Sequence, residues 1–420
     1  GSGDFTFTRG SNLSATRVDA SQLIEKGREN ILLQSNQFDT TWTNTNTTET
    51  GGQSGYDGTN NAWLLTKTAS SFARIQQPIT STSGVKTFSV YLKEGTLSWC
   101  RVLAISASSP ECYVNLSNGS LGSQYNNITA KSTDVGNGWY RVSLVFNDTI
   151  SEVRIYPADA NNSVSGTSGN IYIQDSQLEQ GLVATPYIET GASTAQAGIL
   201  ENTPRFDYSG GATCPSLLLE PSRTNTIESS EYLGHSSWIL GRMTQLSNQT
   251  ISPEGIQNAT LIANTTETGN HNIQNTLGSY TNASLAVSFY AKKKDNDYLQ
   301  FGIYNSSTKW AAQKINLATG AKLGSGNAGF HDAPSGVSVT DVGNDWWRVE
   351  ALFTTTLTGA NEVFYFAPTP TDTNPTGTFG LYGGWTGATT ENAYIYGVQV
   401  ESGVSYSTSY IPTYGVSQTR

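Results

Sequence analysis

A ten-residue string in this chain occurs twice. Thr133-Asp134-Val135-Gly136-Asn137-Gly138-Trp139-Tyr140-Arg141-Val142 returns as Thr340-Asp341-Val342-Gly343-Asn344-Asp345-Trp346-Trp347-Arg348-Val349, identical at eight of ten positions. Further matches keep the same order. Leu23-Ile24-Glu25 with Arg28 and Asn30 pairs with Leu218-Leu219-Glu220 with Arg223 and Asn225, and Gln177-Leu178-Glu179 pairs with Gln399-Val400-Glu401. Collinear matches spread over about 200 residues mean two copies of one domain, since a solenoid repeat is only ~20–50 residues long. The expected division is a lead-in strand or linker over residues 1–16, a first copy over 17–191, a linker over 192–204, a second copy over 205–415, and the start of a linker or third unit from 416.

Each copy reads as short strands. Ser, Thr and Asn supply about a third of the 420 residues and charged residues only 13%, beside 42 Gly and 21 Tyr. That mixture favours strands and polar turns over long helices. Asn137-Gly138 suits a two-residue hairpin turn, with Asn344-Asp345 in the same place in the second copy. Beyond the turn the pattern has period two. Tyr140, Val142, Leu144 and Phe146 share one face and Trp139, Arg141, Ser143 and Val145 the other. Trp347, Val349, Ala351 and Phe353 repeat the apolar set in the second copy. One apolar side on a period-two strand covers a sandwich core. The fold class is therefore all-β, with two tandem antiparallel β-sandwiches of jelly-roll type.

The net charge of −10 argues against a nucleic-acid surface, which needs a basic face. No run approaches the ~20 apolar residues of a membrane span. His235, His271 and His331 all fall in the second copy outside any catalytic motif and read as surface or turn residues. Glu25/Glu220 and Glu179/Glu401 recur between copies at strand ends, where structural hydrogen bonding is the expected role. No enzymatic activity is expected. Cys100 and Cys112 are spaced to face each other across a hairpin, as a disulfide or as two thiols. Asp134 and Asp341 precede Gly-Asn turns and suit backbone capping. No cofactor is expected, although oxygen-rich loops of that kind also suit Ca2+, without the spacing of an EF-hand.

Binding is better served by aromatics, because Trp offers an apolar face and a polar tip. Trp139 with Arg141, and Trp346 with Arg348, set an indole beside a guanidinium on the face away from the core. The arrangement suits a sugar platform, and equally a cation–π contact that seals a sheet. Trp63, Trp99, Trp310 and Trp385 have no match between copies and are expected in loops of differing specificity, whereas Trp42 and Trp238 match and are expected in the core.

The pattern Arg17-Val18-Asp19, Leu23-Ile24-Glu25, Arg28, Asn30, Phe38 and Trp42 resembles a signature of bacteriophage virion appendage proteins, as does Pro204-Arg205-Phe206-Asp207-Tyr208 followed by Leu218-Leu219-Glu220 and Arg223-Thr224-Asn225. The Gly-Asn-Gly-Trp-Tyr-Arg-Val strand and the Gln-Leu-Glu to Tyr-Ile-Pro-Thr closing segment resemble the carbohydrate-binding-like jelly rolls of tail and head fibres. The resemblance implies a virion-surface component, a host-surface glycan and other virion proteins as partners, and a homo-oligomer, dimer or trimer. A structural spacer, or accessory modules of a secreted polysaccharide-degrading enzyme, are the alternatives.

Overall fold

The computed structural model describes residues 12–69, 72–126, 128–200, 203–281, 283–306, 308–328, 331–355, 361–372 and 385–420. The chain divides into two compact units, Arg28–Ala197 and Gly198–Arg420, the latter joined by the chain that precedes Arg28. Both are all-β, and among the described residues the helical elements are two three-residue turns, Asn12–Ser14 and Ser209–Gly211.

The first sandwich (Arg28–Ala197) has two antiparallel six-stranded sheets. One runs Leu121–Tyr125, Glu111–Asn115, Trp99–Ile105, Ile150–Ala158, Arg74–Thr82, Thr43–Thr45. The other runs Thr129–Gly136, Trp139–Asn147, Val85–Glu94, Asn170–Gln180, Ala62–Lys67, Thr47–Gln53. The second sandwich repeats both orders strand for strand, as Lys322–Ala328, Lys309–Asn316, Tyr298–Ser306, Asn361–Pro368, Asn272–Ser279, Trp238–Gly241 and as Ser335–Asp341, Trp346–Thr354, Ser284–Lys293, Asn392–Ser402, Ala259–Asn264, Met243–Thr250. The Trp139 and Trp346 strands are thus equivalent.

Cores sit where the alternation puts them. Val142, Leu144 and Phe146 are buried with Phe88, Val90 and Ile173 in the first sandwich, and Val349, Ala351 and Phe353 with Phe289, Phe301 and Phe366 in the second. The hairpin turn adopts positive φ at both centres, 54° and 76° at Asn137 and Gly138, 53° and 61° at Asn344 and Asp345. Asp134 and Asp341 each accept a 2.8 Å bond from the amide of Gly136 and Gly343. Cys100 and Cys112 are buried free thiols on neighbouring strands, where Cys100 pairs with Val114 and Cys112 with Val102. Burial pushes the Cys112 thiol up to about 12.

The expected domain boundary at Arg17 moves to Arg28. Residues 14–26 bond to the second sandwich: Ser14 Oγ donates to Thr419 O at 3.0 Å, Thr16 Oγ1 to Tyr410 O at 2.6 Å and the Ile24 amide to Pro253 O at 2.9 Å. The lead-in expected over residues 1–16 lies outside the described residues up to 11. Nor is 192–204 a plain linker, because Ala195–Ala197 pairs antiparallel with Arg28–Asn30 and closes the first sandwich. Gly198 then passes the lead-in at φ +84°, where a Cβ would lie 2.3 Å from Lys26 O.

Candidate binding site

The outward face of the Trp139 sheet is itself covered. Trp139 is 1% exposed beneath Tyr56, Tyr91 and Tyr172. Tyr56, from the loop before Ala62–Lys67, stacks on Tyr91 with ring centroids 3.8 Å apart and meets Trp139 edge-on at 6.4 Å. Arg141 lies over the Tyr91 ring at 5.3 Å and donates to Ser89 Oγ at 3.1 Å. In the second sandwich Trp346 is also 1% exposed, packed with Ile24, Tyr290, Tyr396 and Tyr410, and its indole donates to Ile251 O at 3.0 Å. The expectation of two open Trp/Arg platforms is therefore corrected. In the first sandwich the arginine stacks on a tyrosine, and in both the indole is packing.

None of the four unmatched tryptophans stands in a loop. Trp63 lies in Ala62–Lys67 against the first core and donates to Asn36 O at 2.9 Å, and Trp99 opens Trp99–Ile105 beside a buried cluster of Leu103, Tyr113 and Tyr156. Trp310, 5% exposed, packs with Tyr365, and Trp385 lies 4.7 Å from the His271 ring. Two histidines read as surface residues are buried, His271 and His331, the latter 3.0 Å from Glu362. Glu179 and Glu401 hold the amides and hydroxyls of Thr185 and Thr408. Among the described residues no three His, Cys, Asp or Glu side chains gather for a metal.

On the first sandwich the covered face has one group that titrates near neutrality. Asp175 sits at a break in strand register with φ 49° and accepts the Tyr56 hydroxyl at 2.9 Å. Burial, against the Tyr56 hydrogen bond, pushes its carboxyl up to about 6. The fold therefore favours the proton, and stability falls as pH rises from about 4 to about 6. Asp175→Asn keeps the acceptor, tolerates the positive φ and is expected to flatten that slope, gaining about 1–2 kcal/mol at neutral pH. Denaturant unfolding across pH measures it, and an unchanged slope would count against a buried carboxyl.

The second sandwich has a concave site. Two hairpins lie over its outward face: Thr16–Val18 paired with Ile24–Lys26, and Phe206–Asp207 paired with Ser216–Leu217. The repeated signature builds both, each closed by an ion pair, Arg17–Glu25 at 2.6 Å and Arg205–Glu220 at 2.9 Å. The first hairpin is pinned by Ile24 and by Lys26, whose buried ammonium lies 2.8 Å from Glu231 and 2.9 Å from Glu254. Between hairpins and sheet a cleft of about 130 Å³ remains, with Tyr290 and Tyr410 on its wall and Arg348, Glu220, Asp207 and Ser409 around them. That is room for about four waters, below the ~300 Å³ of a typical drug-sized pocket. Arg348 donates to Thr408 O at 2.8 Å and pairs with Glu350 at 3.1 Å. Burial alone would raise the Glu220 carboxyl. Arg420, two hydrogen bonds from Ser409, and Arg205 outweigh it and hold it below its ordinary range. Of the residues expected to bind sugar, the cleft gathers Arg348 but neither tryptophan, and it adds Glu220, which was expected only to bond structurally. Tyr290, Tyr410 and Asp207 were missed as site residues, although the Arg and Glu that recur in both hairpins, Arg17 with Glu25 and Arg205 with Glu220, are a legible signal.

No family model matches the chain, and no curated protein matches it. Among solved structures, the N-terminal CBM22-1–CBM22-2 tandem domain of Paenibacillus barcinonensis Xyn10C is 11% identical, with 94% of this chain and 99% of that one covered and a TM-score of 0.27. Momordica charantia 7S globulin (6% identity, 87% and 84% covered, TM-score 0.10) and Bacillus subtilis oxalate decarboxylase (9%, 88% and 76%, 0.10) also align. Scores of this size do not establish a shared fold, so the assignment rests on the strand orders above.

Proposed function

We propose that the chain is a non-catalytic, self-associating adhesion component that holds one sugar unit of a host-surface glycan in the cleft of the second sandwich, as part of a phage virion fibre or decoration. The observation that carries the glycan reading is the composition of that cleft. Tyrosine rings meet a guanidinium, two carboxylates and a serine hydroxyl within about 130 Å³. Aromatic faces suit the C–H face of a sugar ring, and the polar groups offer donors and acceptors to its hydroxyls. The virion setting is supported by the resemblance of the signature residues, of which Arg17, Val18, Ile24 and Glu25, and Phe206 and Asp207, lie in the two hairpins. A single small site binds weakly, so several copies on one particle would supply avidity.

The intact chain on a glycan array is expected to retain a defined sugar class. Arg348→Gln is expected to weaken retention roughly 10–100-fold, the worth of a charged hydrogen bond, while the chain stays folded with a melt lowered by the lost Thr408 and Glu350 contacts. An array without binders, or equal binding by Arg348→Gln, would overturn the cleft as the site.

A further inference from the structure

In each sandwich one bent stretch of chain forms an edge of both sheets. Thr43–Thr45 ends one sheet and Thr47–Gln53 the other, with Asn46 at φ 53° between them; Trp238–Gly241 and Met243–Thr250 do the same around Arg242 at φ 50°. Strand register makes the two edges comparable position by position. Thr43 and Asn44 face Gln76 and Ile75 as Ile239 and Leu240 face Gln274 and Ile273, and Thr50 faces Leu64 as Leu246 faces Leu261. The first sandwich thus has Thr, Asn and Thr where the second has Ile239, Leu240 and Leu246, which are 52%, 42% and 55% exposed. Ile251, just past the strand, is 58% exposed. The fold does not require apolar residues here, because the first copy builds the same edge without them. Proteins ordinarily blunt an open edge with polar or charged side chains.

We infer that the Trp238–Ile251 edge is a pairing surface for the same edge of a second copy of this chain, antiparallel about a two-fold axis. An antiparallel edge is its own complement, donor facing acceptor across the axis. Charge permits it. The chain carries −10, yet from Trp238 to Ile251 its one ionic side chain is Arg242, 3.7 Å from Glu267. The one like charge that each copy brings is Arg242, which has Glu267 beside it, and four apolar side chains per copy leave water. The inference rests on the self-associating part of the proposed function and not on what the cleft holds.

Light scattering and sedimentation of the full chain at micromolar concentration are expected to show a dimer. Ile239→Lys combined with Leu246→Lys sets lysines against lysines and is expected to raise the dissociation constant roughly a hundredfold or more, giving monomer with the wild-type melt. Ile239→Thr with Leu240→Asn, the residues of the first sandwich, guards against a folding defect and should also give monomer. Leu219→Lys, an exposed position just past the second hairpin, should remain dimeric. A dimer that survives both edge variants would sink this surface while leaving self-association standing. A monomeric wild type, including one that takes up an unrelated extended peptide at this edge, would sink both, and a trimer would sink the two-fold pairing.

Discussion

Lys26→Met lowers the stability of the second sandwich by about 3–5 kcal/mol, the usual cost of removing one partner from a buried ion cluster. The Lys26 ammonium is 6% exposed between Glu231 and Glu254, which are 1% and 0% exposed. Tyr396 and Tyr410 complete the cluster through hydroxyl bonds to the two carboxylates. Burial alone would lower the Lys26 pKa, but the two carboxylates outweigh it and raise it well above the ordinary value. Its contribution is thus whole at neutral pH and fades only as pH climbs beyond the ordinary lysine range. Glu231 moves the other way for its class, its pKa raised first by burial and then by Glu254 against the pull of Lys26. Methionine in place of Lys26 leaves both carboxylates facing each other without a cation. The deficit should therefore shrink as the carboxyls gain protons, and be smaller near about pH 5 than near about pH 8. Adding Glu231→Gln and Glu254→Gln to Lys26→Met should recover most of the loss. Denaturant unfolding of the three proteins is the measurement, and a single variant as stable as wild type would show that the ammonium is not needed there.

Trp139→Ala and Trp346→Ala each cost about 3–5 kcal/mol, as truncation of a buried indole does. Both tryptophans are 1% exposed, yet neither belongs to the core between the sheets. Each lies in a second apolar layer on the outer side of its sheet, under Tyr56 in the first sandwich and under Ile24 in the second. Calorimetry should show Trp139→Ala lowering the transition of Arg28–Ala197 and Trp346→Ala that of the other unit. A melt unmoved by either substitution would return the indoles to a solvent-facing role.

Those tryptophans show where the sequence was legible and where it was not. The repeated ten-residue string and its period-two alternation place Val142, Leu144 and Phe146 in one core and Val349, Ala351 and Phe353 in the other, as found. Alternation assigns a side chain to a face but is silent on whether that face is covered in turn. The cover over Trp346 comes from Ile24, more than three hundred positions earlier, and no local pattern carries that pairing. Lys26 and Glu231 are 205 positions apart, and a lone lysine in a polar stretch looks like any surface lysine. Trp63 and Trp310 lacked counterparts in the other copy, which suggested loops; they are strand residues, Trp63 against the first core and Trp310 in a separate cluster with Tyr365. Of the cleft, Arg348 was legible and its tyrosine wall was not, since Tyr290 and Tyr410 read as ordinary strand and closing-segment residues.

The seating of the Thr16–Lys26 hairpin on the later sandwich has a kinetic side. Thr16 bonds to Tyr410 across 394 positions of chain, whereas within Arg28–Ala197 the closing bond from Asn30 to Ile188 spans 158. Contacts of long sequence separation form late, because the loop between them must close first. On a nascent chain the first sandwich can finish folding while Ile24 and Lys26 still hang free and the Glu231–Glu254 pair does not yet exist. Refolding should accordingly have a slow final phase, read by Trp346 and not by Trp139, in which an already ordered domain carries its own leading hairpin to a neighbour completed after it.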